Sequence, residues 1–412
     1  MDAEPNLGLP PYLHEPGSRP GRSTARRRPP SRRRTRGRPR LRVWIPLLAL
    51  LFLSPALYSW VQMALRPSSL PLGVNSVEWL RQHHFNWLVD DVEHYYYSWN
   101  APKKGGPGLT TLPSVGIGNG HPKHHHPKKA YLPPNIKPVF TYGLPGEGVW
   151  KPTGPRVKGG PPVLVTTFRT ETDYPQILAY VAWFDHTRTA SAYYPGRYEP
   201  PTASLRGPTQ VPYGQRHRLL ATFNGGFIYA DGLNGDSLDG VTNEPFKQGN
   251  ATVVAYKSGR VNIISWKRGP TAPRNVAWAR QSLPLIVDNG KRNPNLSLGT
   301  EWGYTLGNAV RVWRTGLGID KHGNLIYVAA NDQTVITLAD ILIRAGAVRA
   351  MELDINPEWY TLITYRHNHS GLVPTMVAPN YQQPSTRYLN PDDRDFFAVY
   401  RRVAGAVTVP LK

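Results

Sequence analysis

Residues 43–65, VWIPLLALLFLSPALYSWVQMAL, contain no charged side chain. As a helix rising 1.5 Å per residue this stretch covers ~34 Å, enough for a hydrocarbon layer of ~30 Å. Pro46 and Pro55 are tolerable there, because a membrane helix can re-satisfy the backbone groups they free. The preceding arm, residues 1–42, holds twelve arginines against three acids for a charge of +9, whereas Arg66 alone follows closely. That asymmetry keeps the N-terminus in the cytoplasm and places the rest of the chain outside it. A cleaved signal peptide has a shorter apolar core, ~7–15 residues, and a small-residue cleavage pattern that this stretch lacks. The expectation is therefore an uncleaved signal-anchor in a cell membrane, single-pass. The remaining +13 of the net +22 is scattered among acids. The arm is then a topology signal, and nucleic acid is not an expected partner.

The chain has no cysteine among its 412 residues. Disulfides, thiolate catalysis and cysteine-ligated metals are excluded together, so an exported domain must rest on its core alone. Beyond the anchor, residues 66–100 include SVEWLRQHHFNWLVDDVEHYYYSW. Trp79, Leu80, His83, Trp87, Leu88, Asp91 and Tyr95 follow helical spacing and predict one amphipathic helix, with Ser76 available as its cap. It could lie in the headgroup zone or pack on the following domain. Residues 101–162 are rich in Pro, Gly, His and Lys and predict a loose spacer. His121, His124, His125 and His126 are candidate ligands, but no second cluster nearby in sequence completes a shell, and no metal is expected.

From residue 163 to 412 the texture is that of an α+β domain, mostly β with few helices. VLVTTFRT and ILAYVAWFD are β-branched and aromatic runs ended by turn residues. ATVVAYKSGRVNIISW reads as a hairpin turning at Ser258-Gly259, and RVWRTGLGIDKHGNLIYVAA as a second turning at KHGN. Thr337 to Asp340 fits a capping pattern for one strong helix. Its buried stripe would be Leu338, Ile341, Leu342 and Ala345, with Gly346 as the stop.

Several stretches have site character. LLATFNGGF runs a strand into Asn224, Gly225 and Gly226, where glycines permit close backbone approach. Asp231, Asn234, Asp236 and Asp239 offer oxygen ligands without the order of a calcium loop. Asp288 ends the strand LPLIVD, and Arg314 offers a fork for phosphate or carboxylate. In AMELDINPEW, Glu352 and Asp354 share one strand face with Cα atoms ~6.5–7 Å apart. Carboxylates at that separation can act as acid and base in glycosidic cleavage, where gaps run from ~5 to 9.5 Å. They can equally pair with an arginine such as Arg314 or Arg344.

Taken in order, ATFNGGF, LIVDNG, RTGLGID, TLADILIRAGA and AMELD resemble the phosphodiester glycosidase domain family over about residues 163–375. The resemblance implies a compact α+β domain with a mixed sheet and no organic cofactor. It implies hydrolysis of a sugar 1-phosphodiester at the anomeric carbon. Asn224, Gly225 and Gly226 would line the pocket; Asp288 and Asn356, which the resemblance itself does not assign, are further expected substrate-binding residues. Arg314 would hold the phosphodiester, and Asp354 would stand on the aspartate ending the family's last strand. The family continues from that aspartate into a glycine-rich turn, whereas this chain has Ile355, Asn356 and Pro357. Proline removes an N–H from any phosphate cradle, so substrate or chemistry should differ there. The expected function is hydrolysis of a sugar-1-phosphodiester or related cell-envelope glycan, with Glu352 and Asp354 catalytic. The other reading is an envelope polysaccharide-binding domain without turnover.

Overall fold

The computed structural model describes residues 41–118, 131–229, 235–297, 299–303 and 310–403, with residues 41–50 and 300 as backbone alone. The chain divides into two compact units, Met1–Leu57 and Tyr58–Lys412. A helix, α1, runs Leu41–Leu65, over the stretch expected to be the anchor. Among the described residues, no helix is long and apolar enough to cross a membrane; the first part of the expected span lies where side chains are not described.

The single amphipathic helix expected after it is instead two, α2 (Leu72–Gln82) and α3 (Asn86–Trp99). His84 takes a left-handed φ of 65° between them, which ends the first helix without glycine or proline. Ser76 is not a cap: it lies inside α2, donating its hydroxyl to Leu72 O at 2.8 Å and accepting Trp60 Nε1 at 3.0 Å.

In chain order the first strands are β1 (Lys151–Pro152), β2 (Val163–Arg169), β3 (Leu178–Phe184), β4 (Thr189–Tyr194), β5 (Leu219–Asn224) and β6 (Asp236–Leu238). Then come β7 (Val241–Glu244), β8 (Asn250–Tyr256), β9 (Val261–Ser265), β10 (Val276–Pro284), β11 (Val287–Asp288) and β12 (Lys291–Arg292). After β13 (Val312–Asp320) and β14 (Leu325–Gln333) comes the helix α4 (Val335–Arg344), followed by β15 (Ala347–Glu352), β16 (Leu362–Asn368), β17 (Gly371–Met376) and β18 (Phe396–Arg401). They form three sheets, ordered β1-β2-β3-β14-β13-β15-β11-β12, β7-β6-β10-β8-β9 and β17-β16-β5-β18-β4. The α+β class with few helices holds. The expected mixed sheet is realised as sheets whose described pairings are all antiparallel.

The largest sheet buries both faces. One face meets the other two sheets through Tyr180, Ala182, Leu317, Tyr327 and Met351. The other meets α4 through Val328, Leu338, Leu342 and Ala350. The glycines of RTGLGID belong to this contact: a Cβ on Gly316 would stand 2.9 Å from Leu342 Cδ1, so α4 packs where a side chain would hold it off. All four residues of the expected α4 stripe are buried, and Gly346 follows with φ 99°. The helix starts earlier than Thr337, however. Thr334 is the cap, accepting Thr337 N at 3.1 Å while Thr337 Oγ1 accepts Thr334 N at 2.9 Å. Both expected hairpins form, as β8–β9 and β13–β14.

The described parts of 101–162 have little regular structure, yet they pack on the domain rather than standing off it. Val115, Ile136 and Trp150 are buried in its cores, and Arg169 Nη2 pairs with buried Glu147 at 2.8 Å. A few well-spaced apolar residues suffice to dock a segment whose average composition is that of a spacer.

Candidate functional site

The ladder between β13 and β15 ends at Gly316↔Glu352, but the chain stays extended for two residues more. Leu353 N donates to Thr315 O at 2.9 Å and Thr315 N to Asp354 O at 3.2 Å. Glu352 and Asp354 are therefore neighbours on one edge with different fates. Glu352 is fully buried and accepts Arg314 Nη1 at 2.6 Å. Arg314 also donates to the carbonyls of Gln333 at 2.9 Å and Trp302 at 3.3 Å. Burial pushes the Glu352 carboxyl up to about 7 against the pull of Arg314. This pair faces into the fold, and neither member lines the cleft described next.

That cleft encloses about 870 Å³, and Asp354, Asn356, Trp359, Glu199 and Arg394 are among its walls. Asp354 Oδ2 accepts Arg394 Nη2 at 2.7 Å, and its Oδ1 accepts the amide of Asn356 at 2.8 Å. Burial raises the pKa of Asp354, opposed by these two donors. The side chain of Asn356 is turned away to accept Glu358 N at 2.9 Å. The segment INPEW is thus held in a pair of side-chain-capped turns. Arg394 lies 4.3 Å over the ring of Trp359. Its Nε is buried and finds no partner among the described residues, as is true of Trp359 Nε1. Glu199 accepts Tyr229 N at 3.0 Å; burial raises its pKa while the charge of Arg394 lowers it. Two carboxylates therefore flank one guanidinium that retains an unused donor.

Asn224, Gly225 and Gly226 lie behind this wall rather than in it. Asn224 is saturated: its Nδ2 donates to Gly225 O and Thr315 Oγ1 at 2.9 and 3.0 Å, and its Oδ1 accepts Tyr327 Oη and Thr361 N at 2.6 and 3.1 Å. It ties β5 to β13, β14 and the segment entering β16. Gly225 passes between Asp354, whose amide it accepts at 3.3 Å, and the backbone of Asp395, to which it donates at 2.9 Å. Here the glycine is needed for close approach, not for a ligand.

Asp395 belongs to a run that sequence reasoning missed. In Asp392–Asp395, DDRD, each residue pairs with a different partner: Arg387, Arg197, Asp354 and Arg280 in turn, at 2.6 to 2.8 Å. Arg280 and Asp395 are buried to 0% and 2% exposure, which makes their pairing obligatory. The available signal was four consecutive charges just before the buried strand FFAVY, in a chain with 18% charged residues.

Residues ahead of the domain complete the cleft. Ser68, Asn75, Glu78 and Trp79 also line it. Ser68 Oγ donates to Asp393, and Ser69 exchanges two bonds with the same residue, Ser69 N to Asp393 Oδ2 at 3.3 Å and Asp393 N to Ser69 Oγ at 3.2 Å.

Of the other candidates, Asp288 is exposed at the hairpin β11–β12, where Asn289 and Gly290 take φ of 51° and 71°; it is not in the cleft. Asp236 is buried against Asn243 and Tyr229, and Asp239 is an exposed turn residue with φ 48°. Asp231, Asn234, His121, His124, His125 and His126 lie outside the described residues. Among the described residues, no group of three His, Cys, Asp or Glu is placed to hold a metal ion.

The fold and cleft define a sheet-rich α+β domain built around a buried aspartate–arginine pair. Residues 217–354, from the approach to β5 through Asp354, match the family described as phosphodiester glycosidase. Similar solved structures include a zebrafish N-acetylglucosamine-1-phosphodiester alpha-N-acetylglucosaminidase catalytic domain auto-inhibited by its pro-peptide. It is 13% identical, with a TM-score of 0.38 over 61% of this chain and 87% of that one. A hypothetical protein from Synechocystis is 11% identical, with a TM-score of 0.37 over 61% and 64%. A putative exported protein from Burkholderia pseudomallei is 11% identical, with a TM-score of 0.27 over 54% and 74%. No curated protein matches the sequence.

Proposed function

We propose that the domain hydrolyses a sugar-1-phosphodiester of the cell envelope at the anomeric carbon, using Asp354, Arg394 and Glu199. The observation that carries this is Arg394. It is buried at 7% exposure in the cleft wall, bound to Asp354, and has an Nε donor with no partner among the described residues. A phosphodiester oxygen supplies the missing acceptor. A phosphomonoester is a weak base and leaves without being protonated first, so the departing charge needs a cation more than an acid. Arg394 provides it. Asp354, held by Arg394 and Asn356 N, stabilises the positive charge that develops at the anomeric carbon. Glu199 takes a proton from the attacking water. The C1–O bond breaks, the water oxygen ends on C1, and the products are a reducing sugar and a phosphomonoester. Glu352 and Arg314, paired beneath this floor, position the end of β15.

The test is release of reducing sugar from a panel of sugar-1-phosphodiesters by the full chain in detergent. Asp354→Asn is expected to lower kcat by a factor on the order of 10²–10⁴. Full turnover in that variant would remove Asp354 from the chemistry. A second reading, binding of envelope polysaccharide without turnover, is favoured by one feature: both oxygens of Asp354 are already occupied. Saturable sugar binding with no release from any member of the panel would establish it.

We also propose that residues 43–65 anchor the chain in a membrane, with the domain extracytoplasmic. The uncharged run and the arginines before it support this. Reporters fused at residue 1 and residue 412 should lie on opposite sides; the same side for both would overturn it.

A further inference from the structure

A second cavity, of about 450 Å³, opens at the opposite end of the central strands. Its walls come from the β13–β14 turn, the β8–β9 turn, the start of β15 and the residue after β18. On β13, Val312 lines the first cleft and Asp320, eight residues further along, lines this one, so the two sites are separated by ~27 Å. Four cations line it: Arg260, Lys321, Arg349 and Arg402. The one carboxylate in the lining, Asp320, is fully engaged. Its Oδ1 accepts the amides of His322 and Asn324 at 2.8 and 2.9 Å, and its Oδ2 accepts Trp183 Nε1 and Asn324 Nδ2 at 3.2 and 2.8 Å. None of the four cations has a carboxylate within salt-bridge reach among the described residues, although twelve such pairs form elsewhere in the domain and its flanking helices. Arg402 donates to the carbonyls of Thr189 at 3.0 Å and Gly259 at 3.3 Å. Arg349 reaches across to Asn262 Oδ1 on β9 at 2.6 Å, while its Nε is buried with no partner among the described residues.

Converging guanidinium groups without counter-charges are costly to assemble unless an anion joins them. We propose that this cavity is a binding site for a ligand carrying two or more phosphate groups. Arg349 and Arg402 form its floor, and the exposed Arg260 and Lys321 form its rim. Guanidinium forks match tetrahedral oxyanions, and a volume of this size exceeds what one phosphate fills. The site is separate from the cleft at Asp354 and stands whether or not that cleft turns over.

The experiment is titration of the full chain with sodium tripolyphosphate, and in parallel with inorganic phosphate, at fixed ionic strength. Tripolyphosphate should bind at least about 10-fold more tightly than phosphate. Arg260→Gln with Lys321→Gln, both exposed and outside the packed core, should weaken it by about 10-fold without changing the melting temperature. Adding Arg349→Gln should abolish it. Arg394→Gln, in the other cleft, should leave it intact. No tripolyphosphate binding would overturn the proposal. So would binding that survives the triple substitution, which would assign it to the arginine-rich arm, or binding lost with Arg394→Gln.

Discussion

Gly225→Ala tests whether the site rests on backbone contact. A Cβ at this position would stand 2.1 Å from Asp395 Oδ2, 2.4 Å from its carboxyl carbon and 2.7 Å from its carbonyl oxygen. None of these can retreat cheaply. Asp395 Oδ2 accepts Arg280 Nε at 2.8 Å, and Arg280 is fixed in turn by the carbonyls of Gln281 and Phe227, both at 2.6 Å. Overpacking a core by a methyl group costs ~1–3 kcal/mol. Loosening a buried ion pair adds part of the ~3–5 kcal/mol that breaking it would cost. The total is on the order of 4 kcal/mol, a fall of roughly 8–16 °C in Tm for a domain of this size. Gly226→Ala is the control. Its nearest contact is Arg280 Cζ at 3.3 Å, so a shift of a few tenths of an ångström accommodates it, and about 1 kcal/mol is expected. Urea unfolding of the full chain, followed by tryptophan fluorescence, measures both. A Gly225→Ala protein within about 1 kcal/mol of wild type would refute the packing assigned here. Equal losses at the two glycines would do the same.

Burial raises Asp236 from its ordinary 3.8 to about 6. The folded form then holds its proton more tightly than the unfolded chain, so its contribution to stability is full below about pH 4 and fades as pH rises through 6. Asp236→Asn should gain on wild type by roughly 3 kcal/mol between about pH 4 and pH 7; parallel stability curves would sink this. Thr334→Ala removes the acceptor for Thr337 N and should cost about 1 kcal/mol in the same unfolding assay. A much larger loss in Thr337→Ala would put the start of α4 back at the later threonine.

The elements legible in the sequence were those whose signal is local. The hairpin β8–β9 alternates and turns at Ser258-Gly259, and α4 carries its own apolar stripe and glycine stop. The break between α2 and α3 was not legible, because His83-His84-Phe85 contains no residue that demands it. The site was half legible. Asp354 was found from its place after α4, but its partner lies forty positions onward on a segment entering another sheet. Periodicity shows that Glu352 and Asp354 share a face; it cannot show that Arg314 claims one and Arg394 the other. Nor does it show that Asn224, which heads a motif, spends all its hydrogen bonds on holding strands together.

The position of β18 sets an order of events. It lies between β5 and β4, paired to both, although it starts 172 residues after the end of β5 (396 − 224) and 202 after the end of β4 (396 − 194). Until residues 392–401 have left the ribosome, β4 and β5 each expose an unpaired edge, Arg280 has no counter-charge and Asp354 has no arginine. The nascent chain therefore waits with two sticky edges and an unassembled pocket. A stop codon just before Asp392 should yield aggregate rather than a weaker enzyme.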